Sequence, residues 1–488
     1  MAMKHGVYNS EQPTSLTTPL QGSAGLQVVF GTAPVHLAVN PRAAANTPKL
    51  CYSFAECVQA LGYSDDFAKF SLCQSMDASF RVFNVAPLIL VNVLDPDNPK
   101  HIAENEAKDY NVSGGQVIYD LPFVLLDTLV INNGDSQLAA GVDYQAVHNE
   151  DGMVCITLLS DTASAALSLN IASKSLKPSG VTSEDIVGGV NSLTGAESGL
   201  ELVRQIYPMF NLVPGLLLAP GWSEDPLVAA ALQAKSENIN GSFNCANLLD
   251  IPTGGTYGAK VYTGVKGAKE AIGAQGSRTL ALWPKLAIGD KQYAYSAIMG
   301  ALLACNDAQN GDVPYDSPSN KSLRVTNTVL ADGTKVMLDQ EQGNSLNGLG
   351  VITAINANGF KAWGNKTAAY PGTTDPKDSV VATRRFFDWD GNNFIMTYLQ
   401  KVDRPANKRL IQSIVDSQNI IGNGYVARDY CAGYRVEFRA EENPVTELLN
   451  GHLTLHTFLA PYLPAEFIEN VREYDVEALQ AALTGGGE

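Results

Sequence analysis

An α/β multidomain protein is predicted by three features of the sequence. Between about residues 183 and 355 short apolar runs alternate with helical runs, the pattern of a mostly parallel sheet with helices on its faces. Between about 105 and 175 short strand-like runs are separated by turn signals about every ten residues, the pattern of a small all-β unit. The two ends are extended in character and carry little helical periodicity. A chain of 488 residues has room for two to four such units.

The elements follow in order. Residues 1–25 are polar, contain Pro13 and Pro19, and read as an N-terminal arm. Residues 26–104 read as the first part of the α/β core. Leu26–Thr32 (LQVVFGT) and Leu88–Leu94 (LILVNVL) are buried strands, Phe54–Leu61 is a short helix stopped by Gly62, and Asp77–Phe83 is helical. Residues 105–178 hold the all-β unit, with strands near 116–119, 129–132, 144–147, 154–159 and 167–172 and turns at Asn133-Gly134, Ala140-Gly141 and Asp151-Gly152.

Residues 179–356 form the main α/β region. Glu197–Phe210 reads as helical, Gly215–Ala219 (GLLLA) as a buried strand, and Asp225-Pro226 as an N-cap followed by proline at the first helical position. Phe243–Ile251 and Thr279–Trp283 are further strands, and Lys291–Asn306 a helix. Residues 357–463 mix a predicted helix, Arg404–Ile421, with strands at Gly433–Arg439 (GYRVEFR) and Gly451–Leu459 (GHLTLHTFL). Residues 464–488 are a second arm, extended over Pro464–Tyr474, then helical over Val476–Leu483.

Motifs of catalysis and cofactor binding are nearly absent, and no cofactor and no metal site is expected. Lys260–Lys269 (KVYTGVKGAK) lacks the GxxxxGK[ST] spacing of a phosphate loop, no GxGxxG follows a strand, and no GxSxG elbow occurs. His452 and His456 would share one face of a strand, but no third ligand accompanies them. Asp388 and Asp390 (DWDGN) read as N-capping acids ahead of a helix. The seven cysteines are scattered with no CxxC pair, which suits reduced thiols and argues against structural zinc. No histidine lies between His148 and His452, so the α/β region offers no Ser/His/Asp set.

The formal charge of −17 disfavours nucleic acid and anionic membrane as partners. No run reaches the roughly 18 apolar residues of a membrane helix, and no secretory leader is seen, so no membrane insertion and folding in a bacterial host cytoplasm are expected. One stretch departs from the acidic background: Arg384–Arg439 carries nine Lys or Arg against six acids, with Lys401, Arg404 and Lys408 spaced to line one side of a helix start.

Several segments together resemble the contractile phage tail sheath family. They are Gly180–Gly195 (GVTSEDIVGGVNSLTG) with Gly199–Leu202, Val213–Pro226 (VPGLLLAPGWSEDP), Trp363–Thr367 (WGNKT, with Lys366 where the family signature has arginine), Val380–Phe386 (VVATRRF), Val402–Pro405 (VDRP), Arg409–Ser417 (RLIQSIVDS) and Asn443–Leu453 (NPVTELLNGHL). Each is weak alone, but their order and spacing match over roughly residues 25–475. The resemblance implies a subtilisin-like α/β central domain without a catalytic triad, a small outer β-sandwich at 105–178, and a tube-facing C-terminal domain. It implies a structural subunit, not an enzyme. Such subunits stack as hexameric rings in a helical sheath around an inner tail tube protein, meet baseplate and tail terminator proteins, and contract to drive the tube through a target envelope.

The resemblance also gives the arms a role. A strand without a local partner must find hydrogen bonds elsewhere, and in this family arms of different subunits complete a neighbour's sheet. Donor residues would be Val7, Tyr8 and Leu16 at one end and Phe467, Ile468, Val471 and Tyr474 at the other. Acceptors would be Tyr434, Val436, Phe438, Leu453 and Leu455. Lys401, Arg404, Lys408 and Arg409 would be tube contacts. The competing readings are an α/β hydrolase or peptidase-like enzyme and a non-contractile virion protein.

Overall fold

Apolar runs without polar alternation demand a sheet covered on both faces, and that sheet dominates the fold. The structure is a computed structural model that describes residues 24–149 and 152–485. Val7, Tyr8 and Leu16 lie outside the described residues. The core sheet has eight strands in the order Lys49–Cys51, Leu88–Asn92, Gln27–Gly31, Leu216–Leu218, Ala246–Asp250, Thr279–Leu282, Val351–Asn356 and Phe360–Trp363. The inner six are parallel and the two edge strands antiparallel. Gln27–Gly31, Leu88–Asn92 and Ala246–Asp250 are buried at every residue.

Local chemistry sets the helix ends. Ser53 caps Phe54–Leu61, and Gly62 ends it at φ 74°, a backbone region that disfavours side chains. Asp225 accepts from the Leu227 amide and Pro226 opens the helix Pro226–Lys235, as the sequence predicts. Two expectations shift. Lys291–Tyr293 is a strand, and the helix begins after it as Tyr295–Gln309. Glu197–Ser198 is likewise a strand, followed by a 3-10 turn and the helix Ile206–Phe210.

Tyr295–Gln309 is the central helix, with twelve of its 15 residues buried. Its N-terminus receives the buried carboxylate of Asp250, which accepts from the Ser296 amide at 2.8 Å. The Ser296 and Ser223 hydroxyls donate to the same carboxylate. A negative charge at a helix N-terminus is stabilising. Near its other end Asp307 meets Arg385, a pair shielded from solvent.

Residues 102–176 form a separate pair of sheets with their own core. One sheet has four strands (Ile102–Asn111, Ser168–Leu176, Val130–Asn133 and Ser136–Gln137), the other three (Gln116–Tyr119, Val154–Leu158 and Tyr144–His148). Alternate residues point inward, so Val117, Tyr119, Ile131, Val154, Ile156, Leu169 and Ile171 make a core distinct from that of the main sheet. The sequence did not mark Ile102–Asn111, because only its outer residues alternate weakly and none is buried.

A third cluster joins the C-terminal elements to the core: Phe386, Trp389, Tyr425, Cys431, Tyr434 and Val436, with Val313 and Ala24. Here the structure corrects the reading of Asp388 and Asp390. They stand within the 18-residue helix Val381–Tyr398 and do not cap it. Gly391 mimics a turn, but a helical glycine costs only about 1 kcal/mol, which burial of this helix offsets. Asp388 takes a two-pronged bond from Arg278 at 2.9 Å on both oxygens and another from Arg384.

Candidate functional site

The C-terminal lobe is built on two antiparallel strands, Cys431–Glu437 and His456–Pro461, with Tyr434 opposite Leu459 and Val436 opposite Thr457. The first of them rests on the helix Lys408–Ala427. The close approach depends on Gly422: a Cβ there would lie 2.0 Å from the Tyr434 ring. Tyr434 thus lies flat on the helix, and its hydroxyl reaches both oxygens of Asp390 at 3.2 Å. Gln418 donates to the same hydroxyl at 2.6 Å, and Tyr398 donates to Gln418.

Asp390 has no cation among these partners. Burial pushes its carboxyl up to about 7, and the bond from Tyr434 offsets only part of that. An unfolded Asp titrates near 4. Between about pH 4 and 7 the folded state therefore binds more protons, so this group's stabilisation is fully present below about pH 4 and lost as pH rises through about 7. We expect Asp390→Asn to flatten that dependence. The difference in melting temperature between variant and wild type should widen in the variant's favour from pH 5 to 8, measured by scanning calorimetry, and a constant difference would contradict it.

The strand rims are unequal. The Asn419 carboxamide accepts from the Val436 amide and donates to the Val436 carbonyl, both at 2.9 Å. It thus occupies the outward backbone groups of Val436 as a neighbouring strand would. Among the described residues no strand covers the outer rim of His456–Pro461. No sequence pattern marked Asn419, since an asparagine inside a helix reads only as a poor helix former.

Several predicted site residues sit elsewhere than expected. Tyr434 and Val436 lie in the first strand, buried toward the helix. Phe438 falls after its end. Leu453 and Leu455 precede the second strand, because Asn443 ties both backbone groups of Thr454 into a loop, accepting from its amide at 2.7 Å and donating to its carbonyl at 2.8 Å. His452 is in that loop, so the two histidines share no strand face. His452 pairs with Glu447 and His456 with Glu442, each at 2.7 Å.

The basic residues also move. The helix starts at Lys408, capped by Asn407, so Lys401 ends a 3-10 turn and Arg404 is in the connecting loop. The proline at 405 keeps the preceding residue out of helical conformation. Arg404, Lys408 and Arg409 are exposed and Lys401 is half-buried. Among the described residues none of the four is in an ion pair. Lys408 and Arg409 stand at a helix N-terminus, where the macrodipole disfavours cations.

Beyond Pro461 the chain runs free of regular structure to Asp475, then forms the helix Val476–Thr484. Phe467, Ile468, Val471 and Tyr474 are 81%, 86%, 81% and 71% exposed. Four large apolar side chains thus stand in water within one short stretch that has no regular structure. Of the stretch 1–25, the described part starts at Ala24, whose carbonyl accepts from Arg385 at 2.9 Å.

Lys269, in the glycine-containing stretch 260–269, is a residue whose role the sequence did not reveal. Its ammonium donates to the carbonyls of Leu349 and Ala368 at 2.6 and 2.7 Å and tethers two loops, and burial pushes it down to about 8. Asp250 is a buried carboxylate whose partners are serine hydroxyls and a helix N-terminus, with no imidazole among them. Among the described residues no group of three His, Cys, Asp or Glu is placed to hold a metal ion, and no helix is long and apolar enough to cross a membrane. All seven cysteines are free thiols.

No protein-family model matches the chain. It is 25% identical over 462 residues to the tail sheath protein of Burkholderia phage BcepMu, covering 93% of this chain and 92% of the relative. It is 24% identical over 286 residues to a putative prophage major tail sheath protein of Pseudomonas aeruginosa, covering 58% of this chain and 70% of the relative. Its fold matches a chain of an extracellular contractile injection system, the PVC sheath complex in the contracted state, with a TM-score of 0.58 at 15% identity over 98% of this chain and 99% of the other. The fold is thus that of the structural subunits of contractile particles. With a phage sheath protein aligned along nearly its whole length, the chain is similar to the contractile tail sheath proteins in sequence as well as in fold.

Proposed function

We propose that the chain polymerises as helically stacked hexameric rings around an inner tail tube and that its contraction drives the tube through a target cell envelope. The division into arms, core, outer β-sandwich and tube-facing domain given above is part of this reading, as is a subtilisin-like arrangement of the central sheet. The observation that carries it is the exposed apolar arm Phe467–Tyr474 leaving the subunit beside a two-stranded ribbon with an uncovered rim. Each donated strand forms about five backbone hydrogen bonds of roughly 0.5–1.5 kcal/mol each, enough to hold neighbours together while the domains turn. Head-to-tail donation does not close on itself, so it propagates. The partners are other copies of the chain, the tube, and baseplate and terminator proteins at the two ends.

Deleting residues 464–488 should leave melting unchanged, lower the helical circular dichroism only by the lost helix Val476–Thr484, and abolish sheath-like tubes in negative-stain images. Tubes of normal length from the truncated chain would overturn the reading. For the tube face we propose Lys401, Arg404, Lys408 and Arg409. Lys408 and Arg409 are held against a helix dipole and, among the described residues, none of the four has an ion-pair partner; such cations are stabilised by an acidic surface, and exposed pairs of about 0–1 kcal/mol each can release during contraction. Reversing all four charges should leave sheath formation without tubes intact but prevent extended sheath on tubes. Normal extended sheath on the reversed variant would remove this assignment.

A further inference from the structure

We propose that Lys366 and Glu466 form a latch that fixes the direction in which the C-terminal arm leaves the subunit. The strand His456–Pro461 ends at the ribbon's rim, and the chain then crosses to the edge of the core sheet. There Pro464, Ala465 and Glu466 lie in a cleft of about 400 Å³ lined with Asn320, Asn344, Trp363 and Tyr370. Glu466 meets the Lys366 ammonium at 2.9 Å. Among the described residues no hydrogen bond or ion pair is made by residues 467–474, so Glu466 is the last point at which the arm is held by its own subunit.

The two halves of the pair are unequally anchored. Lys366 is on firm ground: it forms a backbone bridge to Val380, its neighbour Thr367 bonds the 378–379 backbone twice, and its ammonium stands 5.5 Å from the centre of the Tyr370 ring. Trp363, three residues earlier, is fixed by Asn344. Glu466 is on a segment with no regular structure and its side chain is 44% exposed. A half-exposed ion pair is weak, and weakness suits its role. It restricts the arm to a narrow cone, which lowers the ordering entropy lost when the strand docks, yet it yields if the arm must swing. The effect on assembly rests on the arm-donation reading, whereas the restriction of the arm does not.

The test measures both. Spin labels introduced as non-canonical residues at Glu341 and Ile468 report the distance distribution between the cleft's helix and the arm. Labelled copies diluted in unlabelled chain keep the signal within one subunit. Lys366→Glu and Glu466→Lys should each broaden the distribution. The exchanged pair Lys366→Glu/Glu466→Lys should restore it, and Lys366→Arg should leave it narrow. Sheath formation should be slowed in the single reversals and recover in the exchanged pair. Single reversals with the wild-type distribution would overturn the latch. Broadening and rescue of the arm with no change in assembly would uphold the latch and count against arm donation.

Discussion

Arg385→Met should lower the unfolding free energy by about 3–5 kcal/mol, the cost of leaving a buried charge without its partner. Arg385 and Asp307 are 4% and 0% exposed, and the guanidinium donates to both carboxylate oxygens. Burial pushes the Asp307 carboxyl up, and Arg385 is what pulls it back. An exposed pair such as Arg42–Asp127 contributes only about 0–1 kcal/mol, so burial decides the size of the effect. The same substitution frees the Ala24 carbonyl at the root of the N-terminal arm. Guanidinium titration should show the loss. The double variant Arg385→Met/Asp307→Leu, which removes both charges, should recover most of it. A double variant as unstable as the single one would mean that packing, and not the stranded charge, sets the cost.

Gly422→Ala is expected to be the second severe change, against the intuition of helix propensity. In an exposed helix the substitution gains about 1 kcal/mol. Here the new Cβ would lie 2.0 Å from the Tyr434 ring and 2.8 Å from its Cβ, so the strand must lift from the helix. Overpacking of this kind costs about 1–3 kcal/mol. The displaced hydroxyl also leaves Asp390 and the amide nitrogen of Gln418 without their Tyr434 partner in the interior, for roughly another 1–3 kcal/mol. The sum exceeds the propensity gain severalfold. Proteolysis of the C-terminal lobe should accelerate while the core sheet melts nearly as before. Gly424→Ala, two residues on, meets no such ring and serves as the control.

The core sheet was legible because its strands are short apolar runs between turn residues, and burial on both faces leaves no competing pattern. Phe54–Leu61 and the Asp225-Pro226 helix start were legible because caps and stops are local. What was hidden depended on distant partners. Asp388 and Asp390 looked like caps until Arg278, more than a hundred residues away, and Tyr434 claimed them. The two strands of the C-terminal ribbon were legible, but their ends were not. A loop stapled by Asn443 to Thr454 cannot be told from a strand by alternation alone. The exposed arm Phe467–Tyr474 was legible in a different way: apolar residues in an extended run with no place in a local sheet.

The pair of sheets at 102–176 enters and leaves the core at neighbouring points. Ile102 pairs with Leu176, and the Lys177 amide donates to the His101 carbonyl at 2.7 Å. The core therefore closes behind a whole inserted module, across a gap of about one strand spacing, near 5 Å. A foreign domain whose ends lie that close together could be spliced between 101 and 177 without stretching the scaffold. A chain built this way can exchange its inserted module while the eight-stranded sheet it interrupts stays the same.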